Sequence, residues 1–247
     1  MSNTSQTVSE VVIQRAGRTV LARVLTQYDI PGMPYPKSGV WSYLIHTPKG
    51  IVIFDTGPYW QSLLGFPGKR TGNTKRIMTA LDRYFPGQPA REILISHYHY
   101  DHLGNAADLQ AALKTTYGNT APIRLHAYDL RPKRFLHMFP DSYTHVLRAS
   151  GCPSYTMGRP LKDGERIEGS DFSVVHTPGH TTGTVALRSD RDKIIIAGWW
   201  TEGIFNNLIN VSTWIVNEDK KQIPQTIKKI TVPGFRYLYY HKVENIY

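Results

Sequence analysis

The segment Ile95-Ser96-His97-Tyr98-His99-Tyr100-Asp101-His102-Leu103-Gly104 constrains this chain more than any other. Three histidines and an aspartate fall within positions 97–102. Before them, Glu92 to Ser96 reads as a short buried strand. After them, residues 102–115 read as a helix, with Leu103, Ala107, Leu109 and Leu113 on related faces. Alternate side chains of an extended segment share a face, so His97 and His99 project to one side. Asp101 and His102 come where the chain turns into the helix and can face a second ion. Imidazole suits borderline divalent metals, and a carboxylate adds the charge that water-activating sites need. The segment therefore predicts a metal centre at a strand end.

A second segment supplies the complement. His176-Thr177-Pro178-Gly179-His180-Thr181-Thr182-Gly183 follows a predicted strand, Phe172 to Val175. Pro-Gly forces a tight turn that presents His180. His176 precedes that turn and is read as structural.

The remaining elements alternate between strands and helices. Residues 10–26 carry two strand-like runs around Ala16-Gly17, and DIPGMPYPKS (29–38) is a loop. Val40–Thr47 and Ile51–Phe54 read as strands joined by Pro48-Lys49-Gly50, followed by Asp55-Thr56-Gly57. A helix is predicted over Asn73–Tyr84, and strands at 122–126, 183–188 and 193–197. A last helix near 218–229 is read as leading into a strand at Ile230-Thr231-Val232. This pattern suggests two sheets packed together and covered by helices. With no repeat, low-complexity tract or obvious linker, the 247 residues are expected to form a single domain.

HxHxDH followed by TPGHT, and preceded by a strand ending in FDTG, resembles the metallo-β-lactamase superfamily. The resemblance runs from about Val20 to Gly234. It implies an α+β fold, the four-layer αβ/βα sandwich, with the site at one edge of the two sheets. It also implies that His97, His99 and His180 hold a first ion, that Asp101 and His102 belong to a second site, and that Asp55 supports the site from behind the ligands. Two ligand positions of the family depart from its pattern. The bridging aspartate is replaced by Trp199, in Gly198-Trp199-Trp200, and the last histidine by Phe235, after Pro233-Gly234. Neither aromatic can ligate a metal through its side chain. Glu202 and His241 are the available substitutes, with little in their spacing to support them. Three neutral histidines plus water still complete a tetrahedral zinc site, so one ion rather than two is expected, zinc first, with iron or manganese as alternatives.

Two functions follow. The first is a metal-dependent hydrolase of an ester, lactone or related carbonyl compound, with Asp101 orienting water or carrying a proton. Apolar loop residues bear on its substrate: Tyr59, Trp60, Leu63, Leu64 and Phe66, with Met33 and Tyr35 from the earlier loop. A core role accounts for the same residues equally well. The second is a non-hydrolytic protein whose pocket, walled by Trp199, Trp200 and Phe235, binds an apolar or aromatic small molecule.

A net charge of +10 raises a nuclease as a third and weaker alternative. However, the basic residues are scattered as pairs and singles (Lys69-Arg70, Lys220-Lys221, Lys228-Lys229) rather than clustered. Phosphodiester cleavage also leans on two metals. The partner expected is thus a small-molecule substrate, not nucleic acid or membrane, and the oligomeric state is open. With one cysteine, Cys152, no signal-peptide pattern and no run of ~18–20 apolar residues, a cytoplasmic protein is expected.

Overall fold

Strand segments such as Ile51–Phe54 and Ile194–Ala197 are apolar and buried on both faces, and that builds three layers of core. The computed structural model describes residues 9–13, 20–28, 38–60, 70–131, 143–148, 151–152, 154–197 and 218–239. Strands β1 (Ser9–Ile13), β2 (Val20–Tyr28), β3 (Ser38–Thr47), β4 (Gly50–Phe54), β5 (Ala90–Leu94) and β6 (Ile123–Arg124) form one sheet in sequential order. The first four run antiparallel, and β4, β5 and β6 run parallel. Strands β7 (Phe172–His176), β8 (Val185–Ser189), β9 (Ile194–Ala197) and β10 (Arg236–Tyr239) form the second sheet in the order β10-β9-β8-β7. In it only β10 and β9 are parallel.

Successive residues of a strand face opposite sides of the sheet. Val52, Phe54 and Leu94 of the first sheet meet Val174, Leu187 and Ile196 of the second in the central core. Their neighbours Ile51, Ile53 and Ile93 face outward, against α1 (Asn73–Tyr84) and α3 (Ala106–Tyr117). On the far side, Val175, Ala186 and Ile195 pack against α5 (Ile223–Ile230). The order helix, sheet, sheet, helix is the four-layer α+β sandwich. The short helices α2 (Tyr100–Leu103) and α4 (Tyr143–Arg148) complete the described elements.

Two predicted elements differ from those observed. The helix expected over 102–115 is divided at Gly104-Asn105 into α2 and α3. α2 ends at Leu103, and a side chain at the next residue, Gly104, would collide with the Tyr100 carbonyl. Ile230-Thr231-Val232 is not a strand: Ile230 closes the buried stripe of α5 and a turn follows. The Tyr237 hydroxyl pins that turn, accepting from Val232 N–H at 2.7 Å and donating to the Ile230 carbonyl at 3.0 Å. Among the described residues the final strand is β10, which begins one residue after Phe235. Among the described residues no helix is long and apolar enough to cross a membrane.

Candidate metal centre

Because β4 and β5 are parallel, their C-terminal ends open on the same edge, and the residues just beyond them become neighbours. Asp55 follows β4 with φ +61°, a left-handed conformation that aspartate tolerates better than most residues. Its Oδ1 accepts from Ser96 N–H at 2.7 Å. Its Oδ2 lies 2.8 Å from His102 Nδ1, so the ring N–H points at the carboxylate and Nε2 is turned the other way. Thr56 adds two bonds to the His102 carbonyl, from N–H at 3.0 Å and Oγ1 at 2.9 Å. His102 is fully buried. Burial alone would lower its pKa, but the Asp101 and Asp55 carboxylates outweigh it and hold the imidazole above its ordinary value.

The second sheet contributes the loop between β7 and β8. Val185 N–H donates to the Ser96 carbonyl at 2.8 Å, joining the start of β8 to the segment that carries His97. Gly179, at φ +140°, lets the turn lie against α5, since a Cβ there would sit 2.6 Å from Ile223. Glu218 N–H and Asp219 N–H bond the carbonyls of His180 and Gly179, each at 3.0 Å, and the Glu218 carboxylate accepts Thr182 N–H at 2.7 Å. His176 holds the same loop: its Nε2 lies 2.9 Å from the Thr182 carbonyl, and its ring stacks on His126 with centroids 4.1 Å apart.

These supports bring His97, His99 and His180 together. His180 Nε2 lies 2.9 Å from His99 Nδ1 and 3.1 Å from His97 Nε2. His97, Asp101 and His102 form a second such group, with His102 Nε2 3.6 Å from Asp101 Oδ2. Zinc–imidazole bonds of ~2.0–2.1 Å in a tetrahedron set the ligand nitrogens about 3.3 Å apart. His180 Nε2 has that spacing to both other rings within a few tenths of an ångström, and all three ligand atoms lie within 4.8 Å of one another. The residues of this first group fit a bound ion. Around it, His97 and His180 are buried and His99 is half-buried.

The family described as the metallo-beta-lactamase superfamily matches residues 35–198, about two thirds of the chain. The chain belongs to the metallo-beta-lactamase superfamily. Among curated proteins it is similar to hydroxyacylglutathione hydrolase of Vibrio cholerae, 29% identical over 102 residues, covering 40% of this chain and 29% of that one. It is also similar to the atrochrysone carboxyl ACP thioesterase of Aspergillus fumigatus, 23% identical over 195 residues, 75% of this chain and 35% of that protein. The matches thus span only about a third of these relatives' lengths. Among solved structures, AidC, a dizinc quorum-quenching lactonase in complex with a product, superposes with a TM-score of 0.61 at 15% identity. That match covers 95% of this chain and 90% of the other.

Phe235 is not at this centre. The centre lies at the Val185 end of β8, whereas Phe235 sits at the other end of the sheet, its ring 4.9 Å from the Arg188 guanidinium and 5.0 Å from the Lys193 ammonium. Ser189, next to Arg188, pairs with Ile194, and Ile194 pairs with Arg236. Four residues of extended chain, about 13 Å, separate the two ends. Phe235 therefore occupies no ligand position and walls no pocket there. Trp199, Trp200, Glu202 and His241 lie outside the described residues.

The aromatic loop is only partly described. Tyr59 is buried in the helix-side core and Trp60 packs against it, so both serve packing. Leu63, Leu64 and Phe66, with Met33 and Tyr35, lie outside the described residues. The base of that loop is fastened beside α2. Trp60 N–H donates to the Tyr100 hydroxyl, and Thr71 Oγ1 and Asn73 Nδ2 each bond the Pro58 carbonyl at 2.8 Å. Burial pushes the Tyr100 phenol well above its usual range.

The motifs gave no sign of Asp129, a buried aspartate that touches both histidine-bearing loops. A signal for it did exist. It lies five residues past a parallel strand, on the edge where open α/β sheets place their sites.

Proposed function

We propose that the protein is a hydrolase of activated acyl compounds, an ester, thioester or lactone, that works with one divalent ion held by His97, His99 and His180. The observation that carries this is the convergence of three imidazole nitrogens from two different sheets. Bound there, an ion supplies a Lewis acid and lowers the pKa of a coordinated water to ~7. Zinc is the first choice, since three neutral nitrogens and one open position suit a catalytic zinc site. Iron or manganese are the alternatives. The names of the relatives, a hydrolase, a thioesterase and a lactonase, support acyl transfer to water as the reaction class.

The chain's own residues divide the work. Asp55 fixes the His102 tautomer from behind, and the buried Ser96 hydroxyl lies 3.0 Å from His97 Nδ1, which turns His97 Nε2 toward the centre. Asp101 is the acidic group of the cluster with solvent access, its side chain 19% exposed, and we assign it the proton transfer between water and the departing group. The expected substrate is a small molecule. The pocket-protein alternative loses one of its three walls, because Phe235 is at the far end of the sheet.

A panel of aryl esters, acyl thioesters and lactones tests the proposal in protein loaded with one equivalent of zinc. Turnover of at least one class should vanish with a chelator and return with zinc. Asp101→Asn should lower kcat by ~10²–10⁴-fold with little change in KM, the usual contribution of a positioned acid or base. Zinc-loaded protein inert toward every class would reject the proposal.

A further inference from the structure

We infer that Asp129 is a positioning residue that sets the spacing of the three-histidine centre; this rests on those histidines holding an ion. His97 and His99 stand on the loop after β5, in the first sheet, and His180 on the loop after β7, in the second. No covalent connection fixes one loop against the other, yet their ring nitrogens must meet to within a few tenths of an ångström.

Asp129 spans the gap. It lies in the turn after β6, its N–H bonded to the His126 carbonyl at 2.9 Å, and it is 1% exposed. Oδ2 accepts Tyr98 N–H at 3.0 Å and the Thr181 hydroxyl at 2.9 Å. Oδ1 accepts Gly183 N–H at 2.8 Å. Tyr98 is the residue between His97 and His99, and Thr181 follows His180. One carboxylate therefore grips both ligand-bearing loops next to the ligands themselves.

Two features mark this contact as built for a carboxylate. A buried carboxylate is costly unless charge-assisted bonds replace its water, and three donors do so here. Gly183 admits it: a Cβ at that position would lie 2.5 Å from Asp129 Cγ and Oδ1. Asparagine cannot reproduce the grip. With a single acceptor oxygen, its NH₂ must face either Tyr98 N–H, which releases the first loop, or Gly183 N–H, which sets two donors against each other and displaces the second loop.

The test compares wild type, Asp129→Asn, Thr181→Val and Asp163→Asn after removal of metal, using cobalt(II) as the probe. Asp163 is the control, an exposed carboxylate that bonds His176 N–H at 2.7 Å and Lys229 but touches neither ligand loop beside a ligand. Cobalt affinity should fall ~10–100-fold in Asp129→Asn, the usual effect of losing an outer-shell partner. It should fall by less in Thr181→Val, which removes one donor of three, and should not change in Asp163→Asn. The intensity of the cobalt ligand-field bands should fall with affinity, a change that general destabilisation would not cause. If Asp129→Asn and Thr181→Val bind cobalt with wild-type affinity and spectrum, and differ only in melting temperature, the inference is wrong. If Asp129→Asn does not fold, Thr181→Val alone decides. If wild-type protein takes up no cobalt, it is the three-histidine centre that fails.

Discussion

His180→Ala should eliminate chelator-sensitive hydrolysis while leaving a folded protein. His180 Nε2 is the atom nearest both other ring nitrogens, so its loss leaves only the neighbouring pair His97 and His99 and opens the centre to solvent. A water that no ion activates stays far less acidic than one with a pKa of ~7, and a fall of roughly 10³-fold or more is expected. The fold should survive, because the central core between the sheets and the two helix-covered cores do not include the imidazoles. Far-ultraviolet circular dichroism and thermal unfolding of the metal-free wild type and variant should nearly coincide. A variant that keeps more than a tenth of wild-type activity would remove His180 from the mechanism.

Asp55→Ala should be the more damaging change for stability. The carboxylate is 1% exposed and accepts from Ser96 N–H and His102 Nδ1. Removing one partner of a buried charged pair typically costs ~3–5 kcal/mol. Alanine also lacks the polar side chain that eases a φ of +61°. In a chain of this size that corresponds to a melting temperature lower by roughly 6–20 °C. Asp55→Asn should lose less, since it tolerates the same backbone and its oxygen can still accept Ser96 N–H, although it too gives up the charge that faces His102. Equal losses in the two variants would show that charge on Asp55, rather than backbone shape and the Ser96 bond, supplies the stability.

The parts of the site that could be read from sequence are those whose spacing is local. His97 and His99 stand two apart on extended backbone, and Pro178-Gly179 announces the turn that presents His180. Asp55 was placed by the resemblance of FDTG at a strand end. Phe235 shows the limit of such reading. The β-branched run Ile230-Thr231-Val232 satisfies a strand pattern and the end of an amphipathic helix equally well. Only its packing against Val175 and Ile195 decides for the helix end. Placing the last strand too early put Phe235 at the wrong end of the sheet, where Arg188 and Lys193 lie over its ring. Asp129 was illegible for a different reason. It follows a strand of only two residues, and its partners stand 31, 52 and 54 positions away. The division of the helix at Gly104 was hidden too, because helical apolar spacing continues across the break.

X-ray absorption at the zinc edge, on protein carrying one equivalent of zinc, tests the central claim most directly. The ion should show only nitrogen and oxygen neighbours at ~2.0–2.1 Å, with the outer-shell scattering of three imidazole rings, falling to two in His180→Ala. A first shell with one imidazole or none, or one unchanged by His180→Ala, would contradict a centre built from His97, His99 and His180.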